Sequence, residues 1–500
     1  MKLRRKKHKP LHINDITIVD DDKLKKAITA AALGNAMEWF DFGVYGFLAI
    51  TLGKIFFPGA SASVQIIASL ATFAVPFLVR PLGGIFFGIL GDKYGRQKIL
   101  SITIVIMSIS TFAIGLIPGY GSIGILAPIL LLICKLAQGF SVGGEYSGAA
   151  IFVAEYAPDR KRGFLGSWLD FGSIAGFVLG AGVVVTISSI IGNEQLVSWG
   201  WRLPFFLALP LGFIGIYLRN QLEETPAFQK HIESMESDSK KELQQPPKLS
   251  FKEVATKYSK SFIICIGLVL AMNITYYVLL TYMPNYLSGR LGYSEDHGLL
   301  IIIAIMAGML FVQPFIGLTS DKIGRRPFIF AGSIGLFFLS YPAFWLIQSD
   351  TVGLIFVGLL ILTVSLNCFV GVTASVLPAL FPTHVRYSAL AISFNVSIII
   401  AGFTPAFVAW LVSATNNSYM PAYYLMIVSL IGLATAFSMP ETANKPLRGA
   451  TPTASDKEEA KEILSQHFET IEQKVEKIDE TIAELERKRQ TLIDQHPKLD

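Results

Sequence analysis

Apolar runs of about twenty residues recur almost end to end in this chain, each long enough to cross a ~30 Å hydrocarbon layer as a helix. No other feature constrains the fold as strongly. A soluble chain of 500 residues would divide into domains with polar surfaces, whereas here 52% of residues are hydrophobic and only 16% charged. The chain therefore reads as an all-α polytopic membrane protein. Twelve helices are expected, at roughly 27–52, 66–90, 98–118, 124–154, 164–192, 201–220, 261–287, 297–319, 328–348, 353–380, 388–413 and 420–440.

Alternate short loops differ in charge. One set carries Lys93, Arg96 and Lys98, then Arg160, Lys161 and Arg162, then Lys322, Arg325 and Arg326, then Arg386; the other has little beyond Lys54 and Arg290. The positive-inside rule places the first set, and with it both termini, in the cytoplasm. The basic start "MKLRRKKHKP" is followed by "INDITIVDDD", not by an apolar run with a cleavage site, so no cleavable signal peptide is expected. The net charge of +5 comes partly from this tail, which suits anionic membrane lipids. No folded basic domain accompanies it, which argues against nucleic-acid binding. Cys134, Cys265 and Cys368 lie in apolar spans without metal-ligand spacing and read as small buried hydrophobes, so no metal is expected. The expected organisation is a basic tail (1–26), a six-helix bundle (27–220), a polar linker (221–260), a second six-helix bundle (261–440) and a cytoplasmic tail (441–500).

The halves repeat. "GILGDKYGRQK" follows the second helix and "GLTSDKIGRRP" the eighth, sharing Gly88/Gly317, Asp92/Asp321, Gly95/Gly324 and Arg96/Arg325. A weaker echo, "PDRKR" against "PTHVR", keeps nearly the same offset, which argues for a duplicated unit. Glycines allow a tight turn, and the aspartate can bond backbone or a neighbouring Arg or Lys, so these loops are gating candidates. This doubled G-x-x-x-D-K-x-G-R loop resembles the signature of the major facilitator superfamily. The resemblance implies two six-helix bundles around a cavity that opens alternately to each side. "GNAMEWFDFGVYG" and "KLAQGFSVGGEYSGA" look like the metabolite–proton symporter branch, which takes up small carboxylates and zwitterions.

Ionisable residues at membrane depth are costly, about 2.5–3.5 kcal/mol each at the bilayer centre. Six occur, all in the first half: Glu38, Asp41, Arg80, Lys135, Glu145 and Asp170. The second half offers neutral groups such as Asn273, Gln313, Asn367 and Asn395. Asn35, Glu38, Asp41 and Tyr45 fall on one arc of the first helix. At ~1.5 Å per residue Glu38 lies ~16 Å from the inner face, and Lys135 ~14 Å from the outer one. The two are expected to meet near the midplane, with Arg80, Asp170 and Glu145 in a lower cluster. A carboxylate in a dry cavity can hold a proton at neutral pH and lose it when water or a cation arrives. Glu38, Asp41, Glu145 and Asp170 are thus proton-coupling candidates, with Arg80 and Lys135 as charge partners. Glu38 and Asp41 could instead be static partners of Lys135 and Arg80 that hold helices together. Lys135 occupies a place that is commonly Arg in the related transporters. Gly139, Gly143, Gly172, Gly176 and Gly180 form faces for close helix packing. "DFG" at Asp170 lacks any nucleotide-binding loop, so no enzyme is expected and no cofactor beyond the coupling proton.

Aromatic faces bind quaternary ammonium groups, and Lys or Arg binds carboxylates. Asn35, Trp39, Tyr45, Lys135, Tyr276, Tyr277 and Tyr282 are therefore substrate-binding candidates for a zwitterion. After Pro440 the chain turns polar. From Lys461, Leu464, Phe468, Ile471, Val475, Ile478, Ile482, Leu485, Leu492 and Leu499 follow spacings of three and four, a coiled-coil stripe of about five heptads. With Phe468 at position a, Arg489 also falls in the seam, where a polar residue specifies register. The stripe predicts a homodimer; docking on the transporter itself is the alternative. With this tail, the chain resembles the osmosensory compatible-solute transporters of the same branch. That implies uptake of proline, glycine betaine and ectoine-like zwitterions with protons, activated by high osmolality, in the bacterial inner membrane. An organic-acid proton symporter is the runner-up, and a non-transporting membrane sensor the reading from another class.

Overall fold

The computed structural model describes residues 11–94, 96–220, 256–289 and 295–495, with all their side chains except those of 14, 88–89, 91–98, 100, 218–220, 289, 295–297, 384, 469–478, 480 and 492–495. Gly95, Arg290 and nearly all of the expected linker fall outside the described residues. So do the side chains at Gly88, Asp92 and Arg96, and those of Ile471, Val475, Ile478 and Leu492 in the tail.

Ten helices among the described residues are long and apolar enough to span a membrane, and a pair bent by 61°, Asp21–Phe47 with Ala49–Phe56, makes an eleventh. The twelfth is Arg96–Leu116, whose apolar part Ser101–Leu116 is shorter. In chain order the bent pair is helix 1, Ala62–Tyr94 helix 2, Arg96–Leu116 helix 3, Leu126–Tyr156 helix 4, Arg162–Ile191 helix 5 and Gly200–Tyr217 helix 6. Ser259–Ser288 is helix 7, Glu295–Ile323 helix 8, Arg326–Ile347 helix 9, Val352–Leu380 helix 10, Val385–Thr415 helix 11 and Met420–Ser438 helix 12. Phe213, Phe311, Phe315 and Trp345 point outward and exposed, as lipid-facing aromatics do.

Helix 1 departs from the expected 27–52 at both ends. It starts at Asp21, because the Asp20 carboxylate accepts from the backbone N–H of Asp22 at 3.0 Å and Lys23 at 3.3 Å, an N-cap. It bends after Phe47, next to Gly46, whose carbonyl accepts the Asn285 side-chain amide at 3.2 Å. A side chain bonded into the helical ladder is a recognised cause of such a bend. Helix 4 is likewise two pieces, Leu126–Val142 and Glu145–Tyr156, broken at Gly143–Gly144.

The glycine faces pack as expected. A Cβ on Gly172 or Gly176 would collide with the backbone of Ala32 or Ala36, so helices 1 and 5 touch backbone to backbone. Gly139 and Gly143 meet helix 2 at Pro76 and Arg80 in the same way.

Side chains from helices 7 to 11 grip the backbone of helices 1 to 5. Asn285 reaches Gly46, Gln313 donates to the Ser167 carbonyl at 3.0 Å, and Asn395 to the Gly143 carbonyl at 2.8 Å. On the basic face, Asp321 of the second repeated motif accepts from the backbone N–H of Gly163 at 2.7 Å and Phe164 at 2.9 Å. It thereby caps the positive end of helix 5 from across the molecule. Asp321→Ala is expected to cost about 0.5–2 kcal/mol at this seam. The readout is faster alkylation of Ser167→Cys in a background lacking the three native cysteines; an unchanged rate would show that the seam does not depend on Asp321.

The assignment of the whole repeated motif to a gating loop needs correction. Gly317 is not in a loop: it lies inside helix 8, Glu295–Ile323, as Gly88 and Asp92 lie inside helix 2, Ala62–Tyr94. A Cβ on Gly317 would come 2.6 Å from Ser167 Oγ and 2.7 Å from the Gly163 carbonyl oxygen. Its task is close approach of helices 8 and 5, not turn formation. Gly324 does form the turn, at φ +98°, in the left-handed region that favours glycine. That turn is not a free-standing gate either, because a Cβ on Gly324 would come 2.7 Å from the Glu441 carboxylate, beyond helix 12. Arg325 is tied to the same segment, its Nη1 donating to the Thr442 carbonyl at 3.1 Å. Sequence spacing shows that the two copies match, but not where the helix ends within them or what packs on the turn.

Beyond helix 12 the chain crosses this same face as a strap. Glu441 accepts backbone N–H bonds from Arg325, Arg326, Thr442 and Ala443 at 2.8–3.1 Å. Burial opposes its ionisation, but these four donors outweigh it and hold the carboxyl below its ordinary range. Arg386 donates to the Arg448 carbonyl at 3.0 Å, and Thr453 bonds Asp159. Thr453–Ala454 then pairs in parallel with Thr17–Ile18, a two-stranded contact that the sequence pattern did not predict.

The tail helix, Lys457–Gln495, starts against the transporter. Ala460, Ile463 and Leu464 pack with Ile16, Ala454 and Leu11, while Arg160 meets Glu462 at 2.5 Å. Docking thus holds the first turns. Farther along, Phe468 is 45%, Ile482 46% and Leu485 61% exposed, and Arg489 is exposed too, so this part of the stripe is not covered by the same chain.

Candidate functional site

Helix 1 brings two acids into the middle of the first bundle, and each finds a different setting. Glu38 Oε1 forms an ion pair with Arg80 Nη2 of helix 2 at 2.6 Å, both side chains buried. Asp41, one turn farther along, takes part in no ion pair among the described residues. Its Oδ2 accepts from the Thr111 hydroxyl of helix 3 at 2.8 Å; Thr111 accepts from Gln138 Nε2 at 3.1 Å; and Gln138 Oε1 accepts from Lys135 Nζ of helix 4 at 2.9 Å. Lys135 is the remote end of a side-chain chain that starts at Asp41. Its ammonium also sits 4.0 Å from the Tyr45 ring centre and 5.5 Å from that of Phe42, a cation–π setting that replaces water.

The Thr111 hydroxyl has one hydrogen and two acceptors in reach, Asp41 Oδ2 and the Met107 carbonyl at 3.0 Å. It can donate to an ionised Asp41. It can equally turn to Met107 and accept from a protonated Asp41. Both protonation states of the acid are therefore hydrogen-bonded without moving a helix.

The expected meeting of Glu38 with Lys135 does not occur, and neither does the lower cluster. Arg80 belongs to Glu38. Asp170 accepts from the Tyr146 hydroxyl at 3.0 and 3.2 Å, and Glu145 from the Thr103 hydroxyl at 2.6 Å. Counting depth along straight helices fails here for two reasons. Helix 4 is broken between Lys135 and Glu145, and depth says nothing of which way a side chain faces around its helix. The static reading named Lys135 and Arg80 as partners of the two acids without assigning them; Arg80 pairs with Glu38, and Lys135 pairs directly with neither acid among the described residues.

Beside Glu38 the helix presents Trp39 to an aromatic wall. Its ring centre lies 5.4 Å from Phe177 of helix 5, 5.4 Å from Tyr276 and 6.1 Å from Tyr277 of helix 7. Among the described residues no protein atom satisfies Trp39 Nε1 or the hydroxyls of Tyr276 and Tyr277, nor Nε and Nη1 of Arg80, which lies 5.7 Å from the Phe77 ring that packs on Tyr277; all are buried. An unpaired buried donor costs about 1–3 kcal/mol, so each member of this group calls for a partner. The wall joins the wider π-helical turn Tyr277–Tyr282 of helix 7, a distortion common at functional sites.

The other substrate candidates lie apart from the wall. Asn35 gives its amide to the Leu169 carbonyl at 2.8 Å and the Ser173 hydroxyl at 2.5 Å, tying helices 1 and 5. Tyr45 faces Lys135, and Tyr282 packs on Tyr286 at 5.7 Å.

Residues 27–454 match the family described as sugar (and other) transporters. The chain belongs to that family. It is a member of the major facilitator superfamily, a transporter and not an enzyme. Residues 455–500, the tail helix and its end, match the osmosensory transporter coiled coil. The chain is 69% identical over 498 residues to the proline/betaine transporter of Escherichia coli and 68% identical over 500 residues to the glycine betaine/proline/ectoine/pipecolic acid transporter OusA of Dickeya dadantii; each match covers 100% of both chains. In fold it is similar to the proton:xylose symporter XylE bound to 6-bromo-6-deoxy-D-glucose, with a TM-score of 0.68 at 20% identity over 89% of this chain and 99% of that one.

Several residues of this transporter's site were not singled out from the sequence. Thr111 and Gln138 are ordinary polar residues in apolar helices, and only their meeting at Asp41 gives them a role. Phe177 is one of 36 phenylalanines. Tyr146 follows Glu145 in the quoted "GGEYSGA" motif. Its ring stacks on Phe394 of helix 11 at 4.6 Å while its hydroxyl holds Asp170.

Proposed function

We propose that this transporter carries zwitterionic compatible solutes, proline and glycine betaine among them, into the cell together with protons. The observation that carries the reading is the wall of Trp39, Phe177, Tyr276 and Tyr277 beside Arg80. Aromatic faces attract an ammonium that has no N–H to donate, and the open donors of Arg80 and Trp39 suit the carboxylate at the other end of the molecule. The names of the full-length relatives support the same cargo.

Asp41 is the proton site. Thr111 serves its ionised and its protonated form alike, whereas Glu38 is tied to Arg80 by an ion pair. A protonated Asp41 removes a charge from the path of the moving bundle, and release of the proton on the inner side completes the cycle. The basic face is cytoplasmic in an inner membrane, both termini lie there, and the basic N-terminal tail rests on anionic lipids. The exposed part of the tail stripe pairs with a second copy, and the strap beneath helices 5, 8 and 11 transmits the state of the tail, which makes transport faster at high osmolality.

An organic acid has no cationic end, so a wall of aromatic faces next to a buried carboxylate disfavours it. A sensor that moves nothing would not require the two-way hydrogen bonding at Asp41. Purified protein in vesicles, given labelled proline or betaine and an inward proton gradient, is expected to accumulate both, more strongly as osmolality rises. Accumulation that is indifferent to collapse of the proton gradient would remove the reading.

A further inference from the structure

Asp170 is the buried acid that the reading above leaves without a task. It lies on helix 5, two turns before Phe177 and on the same side of the helix. Its carboxylate is buried, and among the described residues it takes part in no ion pair; a single phenol, Tyr146, serves both of its oxygens at 3.0 and 3.2 Å. One hydroxyl proton cannot satisfy two carboxylate oxygens, which have room for about four hydrogen bonds. Tyr276 of the aromatic wall packs on Phe177 with ring centres 5.4 Å apart, and its buried hydroxyl has no partner among the described residues. The acid and its phenol therefore lie on the face of helix 5 that carries the wall, two turns along, while Glu38 precedes Trp39 on helix 1 and pairs with Arg80 of helix 2.

We propose that Asp170 accepts the N–H groups of the substrate's ammonium and sets the preference between secondary-ammonium and quaternary-ammonium zwitterions. This rests on the reading of the site as a zwitterion site and adds to it. A quaternary ammonium has a positive charge but no N–H. It is held by the ring faces of Trp39, Phe177 and Tyr276, with Asp170 as a more distant counter-charge. A secondary ammonium such as that of proline keeps two N–H groups. Ring faces satisfy these poorly, and a buried carboxylate satisfies them well, since charge-assisted hydrogen bonds are roughly twice as strong as neutral ones. A site built to accept a hydrogen bond discriminates sharply by its presence, whereas an apolar surface does not. The stack of Tyr146 on Phe394 fixes the phenol, and the phenol fixes the carboxylate, so Tyr146 is a positioning residue.

The test uses the full-length protein in vesicles and a series with falling N–H count: L-proline, N-methylproline and N,N-dimethylproline, with glycine betaine as the open-chain quaternary case. Asp170→Asn is expected to raise KM for proline about tenfold or more, the worth of one charge-assisted hydrogen bond. The loss should shrink along the series, to under about threefold for the two quaternary compounds, where only a distant charge is lost. Tyr146→Phe keeps the ring stack but no longer fixes the carboxylate, so the proline-to-betaine preference should fall in the same direction as in the Asn variant and by a smaller factor; it also serves if the Asn variant does not fold. Equal losses for all four compounds, or no loss for any, would overturn the assignment. Loss of proton-driven accumulation of every compound at unchanged KM ratios would overturn it too, and would make Asp170 a proton site. Failure of the parent protein to take up any of the four would instead count against the zwitterion reading.

Discussion

Asp41→Asn is expected to abolish accumulation of proline against its gradient while leaving exchange of labelled for unlabelled proline across the membrane within about threefold of the parent, because exchange needs no net proton movement. Asparagine has the size and neutrality of a protonated aspartate. Thr111 can donate to its carbonyl or accept from its amide, so the hydrogen-bonded chain to Gln138 and Lys135 survives. What disappears is the group proposed to gain and lose a proton. A proton falling through 100 mV supplies about 2.3 kcal/mol, enough to sustain roughly forty- to fiftyfold accumulation. The variant should fall to a ratio of about one, a loss of that whole factor. Lys135 keeps Gln138 and the Tyr45 ring as partners, and Asp41→Asn with Lys135→Gln controls for the stranded cation. Proline still concentrated by the proton gradient in the single variant would mean that another carboxylate carries the proton.

Arg80→Gln should be the most damaging single change to binding. It removes the donors proposed to hold a substrate carboxylate and breaks the ion pair with Glu38, an acid buried to 1% exposure and 2.6 Å from Arg80. Breaking a buried pair from one side costs about 3–5 kcal/mol. A lowered melting temperature in detergent and loss of uptake for proline and betaine alike are expected together. The double variant Glu38→Gln with Arg80→Gln separates the two causes. Its melting temperature should recover, because a neutral pair replaces the broken ion pair, whereas uptake should stay lost. Arg80→Lys keeps the charge but not the planar fork, and should fall between the two. Recovery of uptake in the double variant would show that Arg80 serves the fold alone.

Both predictions draw on a site that was half legible before the structure. That Glu38, Asp41, Arg80, Lys135, Glu145 and Asp170 lie at depth follows from their neighbours along the chain, and so does the expectation that Trp39, Tyr276 and Tyr277 could face a cationic group. Which of them meet does not follow. Glu38 chose Arg80 over Lys135, Asp41 reached Lys135 only through Thr111 and Gln138, and Asp170 found Tyr146 instead of a cation. Asn35, on the polar arc of helix 1, turned to helix packing, and Tyr282 to Tyr286. Gly317 and Gly324 share one motif, yet the first packs helix 8 on helix 5 and only the second makes the turn.

The membrane spans, the repeated motifs and the heptads of the tail could be read one segment at a time, because transfer into lipid, turn formation and helical periodicity depend on residues close together in the chain. The bend after Phe47, the cap that Asp321 places on helix 5, the pairing of Thr17–Ile18 with Thr453–Ala454 and the wall shared by helices 1, 5 and 7 belong to the assembled molecule. Each joins positions far apart in the chain, and each depends on how a helix is rotated about its own axis. That rotation is set by the packing of its neighbours, here down to single glycines such as Gly172 and Gly176 against helix 1.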